Sequence, residues 1–488
     1  MQQEKNLRIK IVKLIKNYLY NLIYQVFVLI VPLVTVPYIS RVLGAYGVGI
    51  NAYTNSVVSY FILFGNLGVL TYGNRTIAYF RDDKKATTLN FWEITLLRLI
   101  TVSISVLAYL IFISKTGNLK GAFLAQLPLL IASIFDISWF FMGMEEFDKT
   151  VIRNVLVKLV SLGLIFWLVK SKEDTIVYIL ILTVSQLVGN ILLWPYLKKY
   201  LAKVQFKELN LIKHFLPAIQ LFIPQIAIQV YVVVNKTMLG NIAGVSETGF
   251  FDNADKIVKV LLAVVTATGV VMLPRMANEY IKGKMETVTQ YLNYSINFAN
   301  LIAFPLTFGL IGVAKEFSLL FFGEEFIGIE SILMVLSLVI IAISWSNVIG
   351  QQFLLPLNKM NGYTGSVFFG AIINILLNLI LIPKYSVMGA AIGATIAEFS
   401  VTFYQLIYVH KLIPVKLLFA DLWKYMLSSA VMFFVVKLLG NYFTGVKALM
   451  IMTLVGGLVY SLLIVLLRPM IIQIIHDKAI IIIKKKSY

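Results

Sequence analysis

The chain has 488 residues, 59% of them hydrophobic and only 13% charged, with a mean hydropathy of +0.87. That balance excludes a soluble globular domain and predicts an all-α polytopic membrane protein. The formal net charge of +19 does not point to nucleic acid, because the lysines and arginines fall mainly in short loops between apolar runs, as positive-inside topology requires.

The first residues, MQQEKNLRIKIVKLIKNYLY, are basic and amphipathic and carry no small-residue cleavage site. They predict a surface segment leading into a retained first helix. Apolar runs follow at 18–39, 48–70, 91–113, 121–143, 152–169, 176–197, 217–239, 248–272, 291–313, 330–354, 363–382, 387–409, 420–440 and 446–467, which predicts about 14 transmembrane helices. The longest polar interval, KKYLAKVQFKELNLIKHF at 198–215, is amphipathic rather than Gly/Ser-rich and predicts a cytoplasmic linker helix. The expected organisation is an N-terminal lobe of six helices (1–197), the linker helix (198–215), a C-terminal six-helix lobe (216–410), and a last helix pair with a basic tail (411–488). Loop charge places both termini in the cytoplasm. Trp92, Trp139, Trp167, Trp194 and Trp423 lie near predicted helix ends, as interfacial anchors do, whereas Trp345 does not fit that belt.

The two halves repeat. An offset of about 195 pairs Arg41 and Gly44 with Lys236 and Gly240. After a short insertion the offset becomes about 200 and pairs Gly49 with Gly249, Asn55 with Asp255 and Arg75 with Arg275. Because an even number of helices separates equivalent positions, the lobes run parallel, related by an axis along the membrane normal, with a site expected between them.

Ionisable residues inside apolar runs are costly, by roughly 2.5 to 3.5 kcal/mol each on insertion scales, and therefore mark candidate sites. In YVVVNKTMLGNIAGVSETGFFDNADKIVK, the charges Asp252, Asp255, Lys256 and Lys259 fall at i, i+3, i+4 and i+7, on one helical face. They form either a ligand face or two self-neutralising i, i+4 pairs. Arg98 and Lys158 lie deep in their runs; Arg75, Arg153 and Arg275 lie nearer the cytoplasmic ends, where anchoring also explains them; Arg41 and Lys236 lie toward the outside. Asp136 and Glu398 are intramembrane acids suited to ion coupling or to pairing with these cations.

Four stretches carry a family resemblance: DISWFFMGMEEFDKTVIRNVLVKL from Asp136, LFIPQIAIQVYVVVNKTMLG from Leu221, TGVVMLPRMANEY from Thr268 and INILLNLILIPKYSVMGAAIGATIAE from Ile373. Together they resemble bacterial Wzx-type oligosaccharide flippases, polysaccharide transporters of the multidrug/oligosaccharidyl-lipid/polysaccharide exporter superfamily. The likeness runs from about Val26 to His410. Similar proteins often have Asp before the Lys of the KTM-x-G motif; Asn235 stands there, so a carboxylate role does not carry over. The resemblance implies two pseudo-symmetric lobes of the kind seen in multidrug exporters and lipid II flippases. It also implies alternating access in the bacterial cytoplasmic membrane, with an undecaprenyl-pyrophosphate-linked oligosaccharide as substrate and membrane lipids around it. Partners implied are a polysaccharide polymerase and glycosyltransferases, with the chain itself a monomer. A multiply anionic head group needs desolvated cations, for which Arg41, Lys236, Lys256, Lys259, Arg98, Lys158, Arg75 and Arg275 are the candidates. Glu398, Asp136, Asp252 and Asp255 are the candidates for ion coupling.

An ion-coupled drug exporter of the same architecture, or a flippase for lipid II or teichoic-type precursors, remains open. A cation exporter is expected to line its cavity with carboxylates, whereas this chain offers more buried cations than acids. A membrane-bound glycan polymerase or ligase predicts a large outside loop, which the spacing does not provide. Without cysteine there is no disulfide, thiolate metal ligand or thiol nucleophile. Neither a phosphate-binding loop, a metal cluster nor a Ser/His/Asp arrangement is evident, so no cofactor and no enzymatic role are expected.

Overall fold

The computed structural model describes the backbone of residues 2–203, 205–267, 269–474, 476 and 477. It describes their side chains except at 2–23, 26, 206, 223–224, 227–228 and 270–271. The basic tail from Lys478 onward and the side chains of the basic N-terminal segment lie outside the described residues. The described residues form helices α1 (Gln2–Asn66), α2 (Val69–Phe80), α3 (Lys84–Ser114), α4 (Lys120–Phe135), α5 (Ser138–Gly143), α6 (Phe147–Leu168), α7 (Thr175–Ile191) and α8 (Ile212–Ile242). They continue with α9 (Val245–Thr266), α10 (Gly269–Ile281), α11 (Met285–Phe322), α12 (Ile329–Ser346), α13 (Met360–His410), α14 (Leu422–Leu439) and α15 (Gly445–Leu467), and contain no strand.

Ten described runs are long and apolar enough to cross a membrane. Breaks at Gly44 in α1 and at Ser386 in α13 separate the predicted spans on either side of them. Helix α8 covers the predicted span 217–239, and α9 covers the predicted span 248–272 only as far as Thr266. The solvent of this fold is legible on α15. Ala448, Met452, Gly456, Tyr460 and Ile464, at a four-residue spacing, are buried, while Leu454, Leu458, Leu462 and Leu466 on the other side are exposed. A leucine face of that kind is stable in lipid and costly in water. The protein is a multi-pass membrane protein.

The chain divides into two compact units, Met1–Thr237 and Met238–Tyr488. The boundary falls inside α8 and not in 198–215. The predicted linker helix is not formed: this stretch holds short 3-10 turns, Trp194–Lys199 and Phe206–Glu208, before α8 begins. Its backbone donors are taken by α3 side chains, Ala202 N–H by Thr88 Oγ1 at 3.0 Å and Asn210 N–H by Glu93 Oε1 at 2.8 Å. Leu201 and Tyr200 pack on a buried cluster containing Phe91, Trp139 and Phe140. Tertiary contacts thus override an amphipathic pattern. Trp139, expected at the interface, is 1% exposed and stacks on Phe91 at 5.7 Å. Trp167 and Trp423 do face outward.

In the first unit α1 breaks at Gly44 (φ 66°, ψ −176°). The second unit starts α9 after Gly244 (φ 116°, ψ 170°). Positive φ with extended ψ is accessible to glycine at no steric cost, which explains the residue at both breaks. Helices α2 and α10, starting at 69 and 269, and α3 and α11, starting at 84 and 285, continue the same spacing. The repeat therefore keeps an offset of about 200 throughout. This corrects the pairing of Gly44 with Gly240 and of Arg41 with Lys236. Gly240 lies within α8, and the residues at the equivalent places are Gly244 and Asn241. The short LG dipeptide at both positions imitated a register that the backbone does not keep.

In the second unit α12 packs against α9, α11 and α13, and α11 against α14 and α15. Trp345 points inward: its indole N–H donates to Asn300 Oδ1 at 2.7 Å, and its ring meets Phe304, Phe399 and Phe419.

Candidate functional site: a polar cavity within the first unit

Helix α6 carries Asn154, Lys158, Ser161 and Ile165 at a three- to four-residue spacing, so they share one face. That face meets Tyr24, Val31 and Thr35 of α1 and Tyr178, Leu182 and Gln186 of α7 around a cavity of about 190 Å³. Ser161 Oγ donates to Val157 O at 2.7 Å and Thr35 Oγ1 to Val31 O at 3.0 Å. With their protons committed to their own helices, neither hydroxyl has a proton left for a ligand, so donors to an anion come from the other lining groups. Lys158 supplies its positive charge, and no carboxylate is among the described lining residues. An ammonium, an amide pair and two phenols around a small space suit one phosphate-sized anionic group. The volume is below the ~300 Å³ of ordinary ligand pockets and does not admit several sugars.

Arg153 lies one turn nearer the start of α6 and is buried, with NH1 donating to Asn190 Oδ1 at 2.7 Å. Asn190 in turn donates to Ala132 O, and Gln186 of the cavity donates to Asn190 Oδ1 at 3.2 Å. Arg98, at 3% exposure, is committed elsewhere: Nε donates to Asn66 Oδ1 at 2.9 Å, NH1 to the Asp136 carbonyl, and NH2 lies 3.9 Å from Asp136 Oδ2. Asp136 also accepts from Ser138 N–H at the start of α5. The structure thus brings Arg98 and Asp136 together as a staple joining α1, α3 and α5.

The remaining candidates are dispersed. Lys256 bonds Asp252 at 2.6 Å and Lys259 bonds Asp255 at 2.7 Å, the two i, i+4 pairs that their spacing permits. Arg41 is exposed and donates to the Pro37 carbonyl of its own helix at 3.1 Å. Arg75 and Arg275 are exposed on α2 and α10. Near Arg275, the Lys282 hydrogen bond holds the Glu279 carboxyl below its ordinary range. Lys236 and Glu398 are half-buried on α8 and α13.

One polar cluster escaped the sequence reading. Glu93 is 1% exposed; its Oε2 accepts from Lys213 Nζ at 2.7 Å and lies 2.8 Å from His214 Nε2. Tyr72 Oη stands 2.7 Å from His214 Nδ1. A neutral imidazole protonated at Nε2 satisfies both contacts, donating to the carboxylate and accepting from the phenol. The signal was a carboxylate inside the apolar run 91–113, which deserved the suspicion given to Asp136. Glu93→Gln is expected to lower stability by about 1–3 kcal/mol, since the amide keeps one acceptor but weakens the charged contacts. Thermal unfolding of the detergent-solubilised variant measures this, and an unchanged midpoint would leave the cluster without structural weight.

Comparison with known proteins adds a family. Residues 14–280, more than half of the chain, match the family described as polysaccharide biosynthesis protein. An Escherichia coli protein named "Putative O-antigen transporter" is 24% identical over 403 residues, covering 81% of this chain and 96% of that protein. A Haloferax volcanii protein named "Probable low-salt glycan biosynthesis flippase" is 24% identical over 345 residues, covering 69% and 72%. Among solved structures, a lipid II flippase superposes with a TM-score of 0.68 at 18% identity, covering 89% of this chain and 98% of that one. At that identity the likeness speaks for the shared all-helical fold. The chain belongs to the polysaccharide biosynthesis protein family.

Proposed function

We infer that the chain is a flippase for lipid-linked oligosaccharides, moving undecaprenyl-pyrophosphate-linked repeat units across the bacterial cytoplasmic membrane by alternating access. The observation that carries the reading is the Lys158 cavity, polar, cationic and with no carboxylate among its described lining residues. It suits an anionic head group and disfavours an organic cation, which argues against a drug exporter. The family and the names of the relatives, an O-antigen transporter and a glycan flippase, agree with this cargo class. In this reading both termini lie in the cytoplasm, and the glycosyltransferases and polymerase of one glycan pathway act before and after transport.

A complementation experiment tests it. In a cell deleted for its own repeat-unit flippase, expression of this chain restores surface polysaccharide and clears the lipid-linked units that accumulate in the inner leaflet. Continued accumulation, with the protein present in the membrane and tried against several repeat-unit structures, contradicts the reading. Rescue of a lipid II flippase deletion instead would move the cargo to peptidoglycan precursor.

A further inference from the structure

On the other side of α6 from the polar cavity lies an apolar groove of about 430 Å³ between α6 and α7. Ile152, Leu156, Val160, Val184, Val188 and Leu192 line it, all more than a third exposed. From Ile152 to Leu164 it runs about 18 Å, more than half the ~30 Å hydrocarbon core. Cations mark one end. Lys149 lies 5.5 Å above the Tyr196 ring and 3.2 Å from Asp148, and Arg153 lines the groove beside it. Arg153 is 7% exposed, and its Nε has no hydrogen-bond partner among the described residues. Asp148 and Glu146 both offset Lys149, so what sets this end apart is Arg153 with its unsatisfied Nε. An unsatisfied, buried guanidinium edge is costly unless something accepts from it.

Groove and polar cavity adjoin. Val157 lines both, and Arg153, Asn190 and Gln186 form a hydrogen-bonded path from one to the other. A phospholipid in the groove would leave that path unused. A single-chain lipid whose phosphate is followed by a second anionic group uses all of it.

We propose that the α6–α7 groove seats the polyprenyl chain of the cargo, with the chain-proximal phosphate at Arg153 and Lys149 and the second phosphate directed toward Lys158. This rests on the flippase reading and adds where the lipid is held. The chain stays against the hydrocarbon while Arg153 marks the crossing point between apolar and polar parts of one ligand.

The test is equilibrium binding of radiolabelled undecaprenyl diphosphate to the full-length protein in nanodiscs of zwitterionic lipid. Saturable binding is expected, weakened about tenfold or more by Arg153→Gln, a loss comparable to one charge-assisted contact. Because Arg153 bonds Asn190, the second variant fills the groove from outside: Leu156→Trp with Val188→Trp, at positions 55% and 49% exposed. It too is expected to bind about tenfold more weakly at an unchanged melting temperature. Neutral undecaprenol is expected to compete poorly, and phosphatidylglycerol to displace the diphosphate only in large excess. Unchanged binding by the tryptophan variant, or displacement by equimolar phosphatidylglycerol, would overturn the proposal, the latter making the groove an ordinary anionic-lipid site. Oligosaccharide transport by the same preparations separates the two claims. Groove-dependent binding without wild-type transport removes the flippase reading and leaves the lipid seat, while wild-type transport with unimpaired tryptophan variants does the reverse.

Discussion

Lys158→Gln is expected to lower transport of pyrophosphate-linked oligosaccharide about tenfold to a hundredfold while the protein inserts and melts as before. The reasoning is local. The side chain supplies the cavity's positive charge, and what is lost is a charge-assisted contact worth about 1.5–3 kcal/mol when desolvated. At 1.4 kcal/mol per decade this gives the range stated. Stability is spared because, among the described residues, neither a salt bridge nor a hydrogen bond has to be broken at the ammonium. Lys158→Arg keeps the charge in a cavity of about 190 Å³ and is expected to retain part of the activity. Initial rates at several substrate concentrations decide the matter. A wild-type rate for the glutamine variant would remove Lys158 from the site and leave Arg153 as the cation to examine.

Arg98→Met is expected to act on stability instead. The guanidinium is buried and spans three partners, Asn66 Oδ1, the Asp136 carbonyl and the Asp136 carboxylate. Removing one member of a buried pair costs about 3–5 kcal/mol, because the other is left without compensation. The lower end applies, since the Asp136 side chain is 26% exposed and partly hydrated. Arg98→Lys does not restore the staple, because an ammonium lacks the fork that reaches Asn66 and Asp136 together. Melting in detergent should place Arg98→Met well below wild type, with Arg98→Met/Asp136→Asn between the two. Equal melting temperatures for all three would show that the pair contributes nothing to the fold.

The spans were legible because apolar length and loop charge are properties of the chain alone. The predicted boundaries at 39/48 and 382/387 bracket the breaks at Gly44 and Ser386. The repeat was legible at Arg75 and Arg275 and misread at Gly44, where a local LG match outweighed the backbone conformation that fixes the true partner, Gly244. The stretch 198–215 was misread for a different reason. Its amphipathic pattern is real, but Thr88 and Glu93 on α3 accept its backbone donors, and no property of the stretch itself reveals them. Among the charges, the i, i+4 pairs on α9 could be read from spacing, because partner and distance are set by one helix. Arg98 with Asp136, Glu93 with His214, and the shared face around Lys158 depend on which helices become neighbours. For those the sequence offers only the cost of a buried charge, which marks a residue as significant without naming its partner.

The most direct measurement is transport by the purified chain in proteoliposomes. Undecaprenyl-pyrophosphate-linked oligosaccharide is placed in one leaflet, and its arrival in the other is followed by accessibility to an added glycan-modifying enzyme. The account predicts a rate at least about tenfold above protein-free liposomes, reduced to near that background by Lys158→Gln. Arrival no faster than in protein-free liposomes, in vesicles where the same protein expels an organic cation, would contradict it.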